Sequence, residues 1–170
     1  NQKQWSIKAT LSEGFVNKKQ IDSLCNITLF DQEANCHYVS YMRIPGAPLR
    51  ARQDAFDVGF NDSFMKGSYP AYEAHFRDPD QDIEIDFTIQ AESSPYWIAQ
   101  EATNGWIPMG LGFLRYGFIP KTYISGTIKI HGQLFTLKGI GYFEHVWGNF
   151  SYRNPLSSSK DGKKTISTYA

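Results

Sequence analysis

Residues 123–148 read YISGTIKI HG QLFTLKGIGYFEHVWG. His131-Gly132 is a dipeptide suited to a tight two-residue turn, and it separates two runs in which apolar residues recur every second position. The stretch predicts a β-hairpin, with strands over Tyr123–Ile130 and Gln133–Trp147. In an extended strand Phe135, Leu137, Phe143, His145 and Trp147 share one face. Gly139 and Gly141 fall on that face too and leave a gap where a ligand or another backbone can approach. Glu144 points to the opposite face, so a Glu–His dyad from neighbours in one strand is not expected.

The same period of two runs outward from the hairpin. Trp5, Ile7, Ala9 and Leu11 alternate, as do Phe56, Val58 and Phe60, and Tyr72, Ala74 and Phe76. Ile83, Ile85, Phe87 and Ile89 occupy one strand face, with Asp82, Glu84, Asp86 and Thr88 on the other. Further strands are expected over 22–30 and 36–44, joined by a turn at 31–35 and stopped by Pro45, Gly46 and Pro48. Another is expected over 96–101. Residues 102–121 mix Gly105, Pro108, Gly110, Gly112, Gly117 and Pro120 with Trp106, Met109, Leu111, Phe113, Tyr116 and Phe118. They read as a long aromatic loop with at most one turn of helix: a closure of one barrel end, a mouth against an apolar ligand, or a partner-binding patch. Past Asn149 the chain turns to serine, lysine and glycine and reads as a linker. The expected organisation is therefore an all-β domain over 1–150, an antiparallel meander closing into a lipocalin-like barrel with little helix. A linker and the start of a following strand or domain would occupy 151–170.

Composition narrows the function classes. The 170 residues carry 17 basic and 17 acidic side chains, and aromatics make up 15%. With no basic stripe, nucleic acid is not an expected partner. No apolar run reaches the roughly 20 residues of a membrane span, and no leader segment is visible. Cys25 and Cys36 flank the turn at 31–35. If Phe30 lies opposite Cys36, Cys25 lies near Tyr41, too far along the ladder for a disulfide, so both are expected as thiols. Reduced thiols suit a cytoplasmic protein. Neither HExxH, CxxC nor an EF-hand loop occurs, so no metal and no cofactor are expected. His75 reads as exposed and inert, and Asp82, Glu84 and Asp86 as a solvated outer face. His37 sits beside a turn and His131 in one, and neither has a metal-ligand partner at useful spacing.

Ser125-Gly126-Thr127, His131-Gly132 and Gly139 through Gly148 together resemble a signature of the hydroxyneurosporene synthase or carotenoid hydratase family, also called AttH-like. The resemblance is specific over about 25 residues. It implies two consecutive lipocalin-like domains, of which this chain is the first plus a linker. It also implies hydratase or cyclase chemistry of the lyase or isomerase type on an isoprenoid or polyketide-like substrate. His145 and Trp147 match the family's cavity His and Trp, but the aspartate that protonates the alkene lies on a later strand and has no counterpart here. Asp22-Ser23-Leu24-Cys25 also departs from the family, which shows an acid followed by Trp-Trp-Tyr.

The expected site is His145 as the proton-handling residue, with Trp147, Phe143, Trp106, Phe113 and Tyr116 against the ligand. A core pair of His145 and Trp147 that only locks the barrel is the plain alternative. The function expected is binding of an apolar small molecule. The alternatives are a sugar-binding β-sandwich, which requires coplanar aromatics on an outer face, and an interaction domain with a filled core.

Overall fold

The computed structural model describes residues 3–16, 20–110 and 112–149. The linker expected over 151–170 lies outside the described residues. Contacts divide the chain into two compact units, Asn1–Glu92 with Tyr123–Ile140, and Ser93–Thr122 with Gly141–Ala170.

The first unit begins with β1 (Trp5–Val16), β2 (Gln20–Asp31) and β3 (Cys36–Ile44), an antiparallel sheet in sequence order. A second run follows, β4 (Arg50–Ala51), β5 (Phe56–Phe60), β6 (Ser63–Ser68), β7 (Ala71–Asp78) and β8 (Ile83–Ala91), each strand pairing antiparallel with the next. β8 then pairs with β11 (Gly112–Ile130), and β11 with β12 (Gln133–Gly148); both of these long strands contribute residues to each unit. The alternation read from the sequence is what buries the core. Cys25, Ile27 and Leu29 on β2 are fully buried, as are Ile85 and Ile128, with Phe76 and Ile83 close to it. Trp5, Ile7, Ala9 and Leu11 pack against this cluster. Their register partners on β2 are Asp31, Leu29, Ile27 and Cys25.

Two aspartates close turns from inside. Asp31 Oδ1 accepts the Glu33 and Ala34 amides at 3.1 and 3.0 Å, and these bonds hold its carboxyl below the usual carboxylate range, with Lys3 adding to the effect. Asp78 Oδ1 accepts the Asp80 and Gln81 amides, and its Oδ2 accepts Ser40 Oγ–H at 2.5 Å. The His131-Gly132 turn is present as expected, with both residues at positive φ (48° and 80°). At Gly126 β11 approaches β8 so closely that a Cβ would fall 1.9 Å from the Asp86 carbonyl oxygen. Gly139 faces open space.

Several expectations are corrected. Asp31, not Phe30, stands opposite Cys36, so Cys25 pairs with Met42, because Asp31 is still a ladder residue while its side chain caps the turn. Both thiols are free, as expected. Burial pushes the Cys25 thiol up to about 11, although it donates a weak bond to Ser63 Oγ. His75 is not exposed. Its side chain is 17% accessible, it lies 5.5 Å from the Phe64 ring, and Nδ1 is 2.7 Å from Asp86.

In the second unit the strand expected over 96–101 is only β9 (Tyr96–Trp97), after which the chain makes one helical turn, α1 (Gln100–Thr103). The segment 102–121 is not a long loop. It forms β10 (Trp106–Met109) and the first part of β11. Pro108 is tolerated because β10 pairs only with β11, an edge position that asks for fewer donors. Gly112 and Gly117 do not break the strand, since each is a site of close approach: a Cβ at Gly112 would meet the Asn149 carbonyl, and one at Gly117 the Trp97 ring. Among the described residues no helix is long and apolar enough to cross a membrane.

Ile27→Ala is expected to cost about 2–5 kcal/mol in chemical denaturation, from lost transfer energy and the cavity left behind. Ile140→Ala, at a position 75% exposed, is expected to stay within about 0.5 kcal/mol of the parent.

Candidate functional site

Strand β11 sorts its side chains by parity. Its register with β10 sets Trp106 opposite Arg115 and Pro108 opposite Phe113, and its register with β9 sets Trp97 opposite Gly117. Directly opposed residues share a face, so Trp97, Trp106, Phe113 and Arg115 lie together. Gly117 lacks a side chain, and the Trp97 indole fills that space. On β12, Trp147 joins this group. Its ring meets Trp97 edge-on at 5.1 Å and lies 4.7 Å from the His145 imidazole.

The centre of the group is Arg115. Its guanidinium carbon is 5.1, 5.5 and 5.8 Å from the ring centroids of Trp97, Trp147 and Trp106. Three of the chain's four tryptophans therefore surround one cation. Gly105, at φ +82°, lets the guanidinium approach its backbone, where a Cβ would stand 3.2 Å from Arg115 Nε. That Nε is shielded from water and has no hydrogen-bond partner. Among the described residues no carboxylate pairs with Arg115, whereas Arg43, Arg52 and Arg77 pair with Asp22, Asp54 and Asp62. Cation–π attraction, about 0.5–2 kcal/mol per ring depending on desolvation, is what holds the cation there.

Beside the cage is an open depression of about 490 Å³ lined by Trp106, Phe113 and Asn149. Trp106 and Phe113 are 42% and 53% exposed. Asn149 fixes this edge: its amide donates to the Phe113 carbonyl and its Oδ1 accepts the Phe113 amide, both at 3.1 Å.

The opposite face is a separate polar network. The Tyr116 hydroxyl donates to Glu144 Oε2 at 2.7 Å and is in direct contact with the Tyr142 hydroxyl, which therefore donates to Tyr116. Phe118 packs between Tyr116, Tyr142 and Tyr96. Desolvation, and then the hydrogen bonds, raise the Tyr142 phenol, and desolvation raises that of Tyr116.

Of the six residues singled out from the sequence, His145, Trp147, Trp106 and Phe113 come to the caged face. Phe143 shares the parity of His145 along β12 and is half-buried. Tyr116 belongs to the other face. Trp97 and Arg115 are the residues sequence reading missed. Arg115 was visible as the one arginine within the aromatic stretch, two residues from both Phe113 and Gly117, while Trp97 is placed only by its register against a glycine. Glu144 is turned away from His145, as expected. The described face thus offers flat apolar rings, one cation and an imidazole whose pKa desolvation lowers. Elsewhere, in the first unit, His75, Glu84 and Asp86 bring possible metal-ligand atoms within 4.8 Å of one another. His75 is already bonded to Asp86, and Arg77 stands opposite Glu84 in the ladder.

No family model and no curated protein matches the sequence. Among solved structures the chain is similar to kievitone hydratase from Nectria haematococca, at 15% identity and a TM-score of 0.67, over 88% of this chain and 44% of that one. It is also similar to a candidate AttH from Nitrosomonas europaea, at 16% identity and a TM-score of 0.64, over 84% and 45%. The chain spans less than half the length of either. At these identities the likeness is one of fold. The fold is thus the all-β, lipocalin-like one expected, and the resemblance carried by residues 125–148 holds at that level.

His145 is expected to titrate below its ordinary value of 6.5 in an NMR titration of the imidazole signals. The unfolded chain then binds the proton more readily than the folded one. The stability contributed by this group is present above pH 6.5 and is lost as pH falls through the folded value. His145→Gln is expected to flatten that part of the stability–pH curve, and a midpoint at or above 6.5 contradicts the placement.

Proposed function

We propose that this lipocalin-like chain binds an apolar, isoprenoid or polyketide-like small molecule against the face formed by Trp97, Trp106, Phe113 and Trp147, with His145 at its edge. The observation that carries this reading is the convergence of three indoles on one face beside an open depression of about 490 Å³. A volume of that order suits a small ligand. Large exposed rings at such a depression leave apolar surface in water that a ligand would cover.

The two other readings are less well supported. Sugar stacking asks for coplanar rings, and Trp97 and Trp147 stand at 89° to each other. A filled core asks for rings closed off from solvent, and Trp106 and Phe113 are not.

In this reading the chain is one domain of a larger hydratase- or cyclase-like protein. The likeness in fold to a hydratase more than twice the length of the matched region supports it. The chain's own contribution is to hold a flexible substrate near its reactive shape and to exclude water. His145, largely neutral at pH 7, can accept or relay a proton. Protonating an isolated double bond asks for a stronger acid, which a second domain would supply.

Tryptophan fluorescence during titration with retinol and with carotenoid fragments tests the proposal. Saturable quenching is expected, with Trp147→Phe and His145→Ala each raising Kd about three- to tenfold, or ~0.6–1.4 kcal/mol. Absence of saturable quenching in the parent protein, with both variants only less stable, contradicts it.

A further inference from the structure

Resting on that binding reading, we infer that the ligand carries an anionic oxygen, a carboxylate or an equivalent acidic group, which docks on Arg115 while its apolar body lies on Trp106 and Phe113.

Arg115 is short of hydrogen-bond partners. A guanidinium has five N–H donors in a fixed plane and remains charged at any relevant pH. Here the side chain is half-buried, its Nε is shut off from water, and neither a hydrogen bond nor an ion pair satisfies it among the described residues. Leaving a buried donor unpaired is unfavourable, and the indole faces offset only the charge. Their centroids lie 5.1–5.8 Å from the guanidinium carbon, and with Trp97 and Trp147 at 89° to each other not all of them lie flat on its plane; a ring so placed is at best a weak acceptor for an N–H. Among the described residues the guanidinium N–H groups therefore have no oxygen acceptor.

The guanidinium stands beside a wall of the depression, which is lined by Trp106, Phe113 and Asn149. Trp106 is the register partner of Arg115 and lines the open depression, with Phe113 two residues along the same strand face. The inferred ligand keeps its body on the two exposed rings and extends one end past Trp106 to the guanidinium. An oxygen anion matches the fork geometry of the guanidinium. A neutral ester of the same shape can accept a hydrogen bond but brings no charge. Among the described residues no acidic side chain makes a contact with Arg115 that would compete.

Isothermal titration calorimetry of the full chain with 2-naphthoate and with methyl 2-naphthoate separates this inference from the reading beneath it. The acid is expected to bind about tenfold or more tightly than the ester, the gain typical of a charge-assisted bond. Arg115→Met is expected to bring the acid-to-ester ratio close to one, and Arg115→Lys to retain part of the preference. Circular dichroism melting of each variant confirms that the ratio is read on folded protein. The ratio in the parent protein stands even if Arg115→Met fails to fold. Equal affinity for acid and ester in the parent overturns the anionic ligand and leaves the apolar site intact. Failure of both to bind overturns both.

Discussion

A guanidinium withdrawn from water must be compensated by other charges, by hydrogen bonds or by aromatic faces, and at Arg115 only the aromatic faces are present among the described residues. The local arrangement follows from that constraint. Trp97 reaches the cation because Gly117 has no side chain, and the guanidinium reaches the backbone at Gly105 for the same reason. Trp106 arrives by direct pairing across β10 and β11, and Trp147 from the end of β12, where Asn149 clamps the strand to Phe113. Glycine in a strand interior usually weakens it. At Gly117 and Gly126 the missing Cβ instead lets a ring and a backbone come closer than a side chain would allow.

Strict alternation lets one strand serve two chemistries. Odd positions of β11 carry Phe113, Arg115 and the Trp97 ring over Gly117. Even positions carry Tyr116, which joins Tyr142 and Glu144 in a hydroxyl–carboxylate network, and Phe118, which packs on the Tyr142 ring. A one-residue slip would exchange these faces and bury Glu144 among indoles. The unit containing β1–β8 uses the same period for a different end, taking Ile27, Leu29, Ile85 and Ile128 out of water. The caged face instead leaves Trp106 and Phe113 partly exposed, and that difference is why one unit reads as support and the other as a binding surface.

The β strands and the hairpin at His131-Gly132 were legible because period two and turn chemistry are local signals. The family resemblance was legible through the Gly139–Gly148 motif, and the fold agrees with it. Residues 102–121 were misread because glycine and proline break strands on average, whereas their roles here depend on partners distant in sequence: Trp97 for Gly117 and Asn149 for Gly112. Trp147, Trp106 and His145 could be named as aromatic and titratable residues of the right parity. Arg115 was passed over because a single arginine between aromatics looks like a solvated charge until the ladder brings three rings to it. Tyr116 was grouped with them by proximity in sequence, and one step of parity puts it on the other face.

Two-dimensional ¹⁵N NMR of the four tryptophan indole N–H signals during addition of 2-naphthoate tests the caged face most directly. Trp5 lies in the core-bearing unit and serves as an internal reference. Saturable shifts of Trp97, Trp106 and Trp147 with Trp5 unmoved are the result this account requires. A shift led by Trp5, or equal small drifts of all four without saturation, contradicts it.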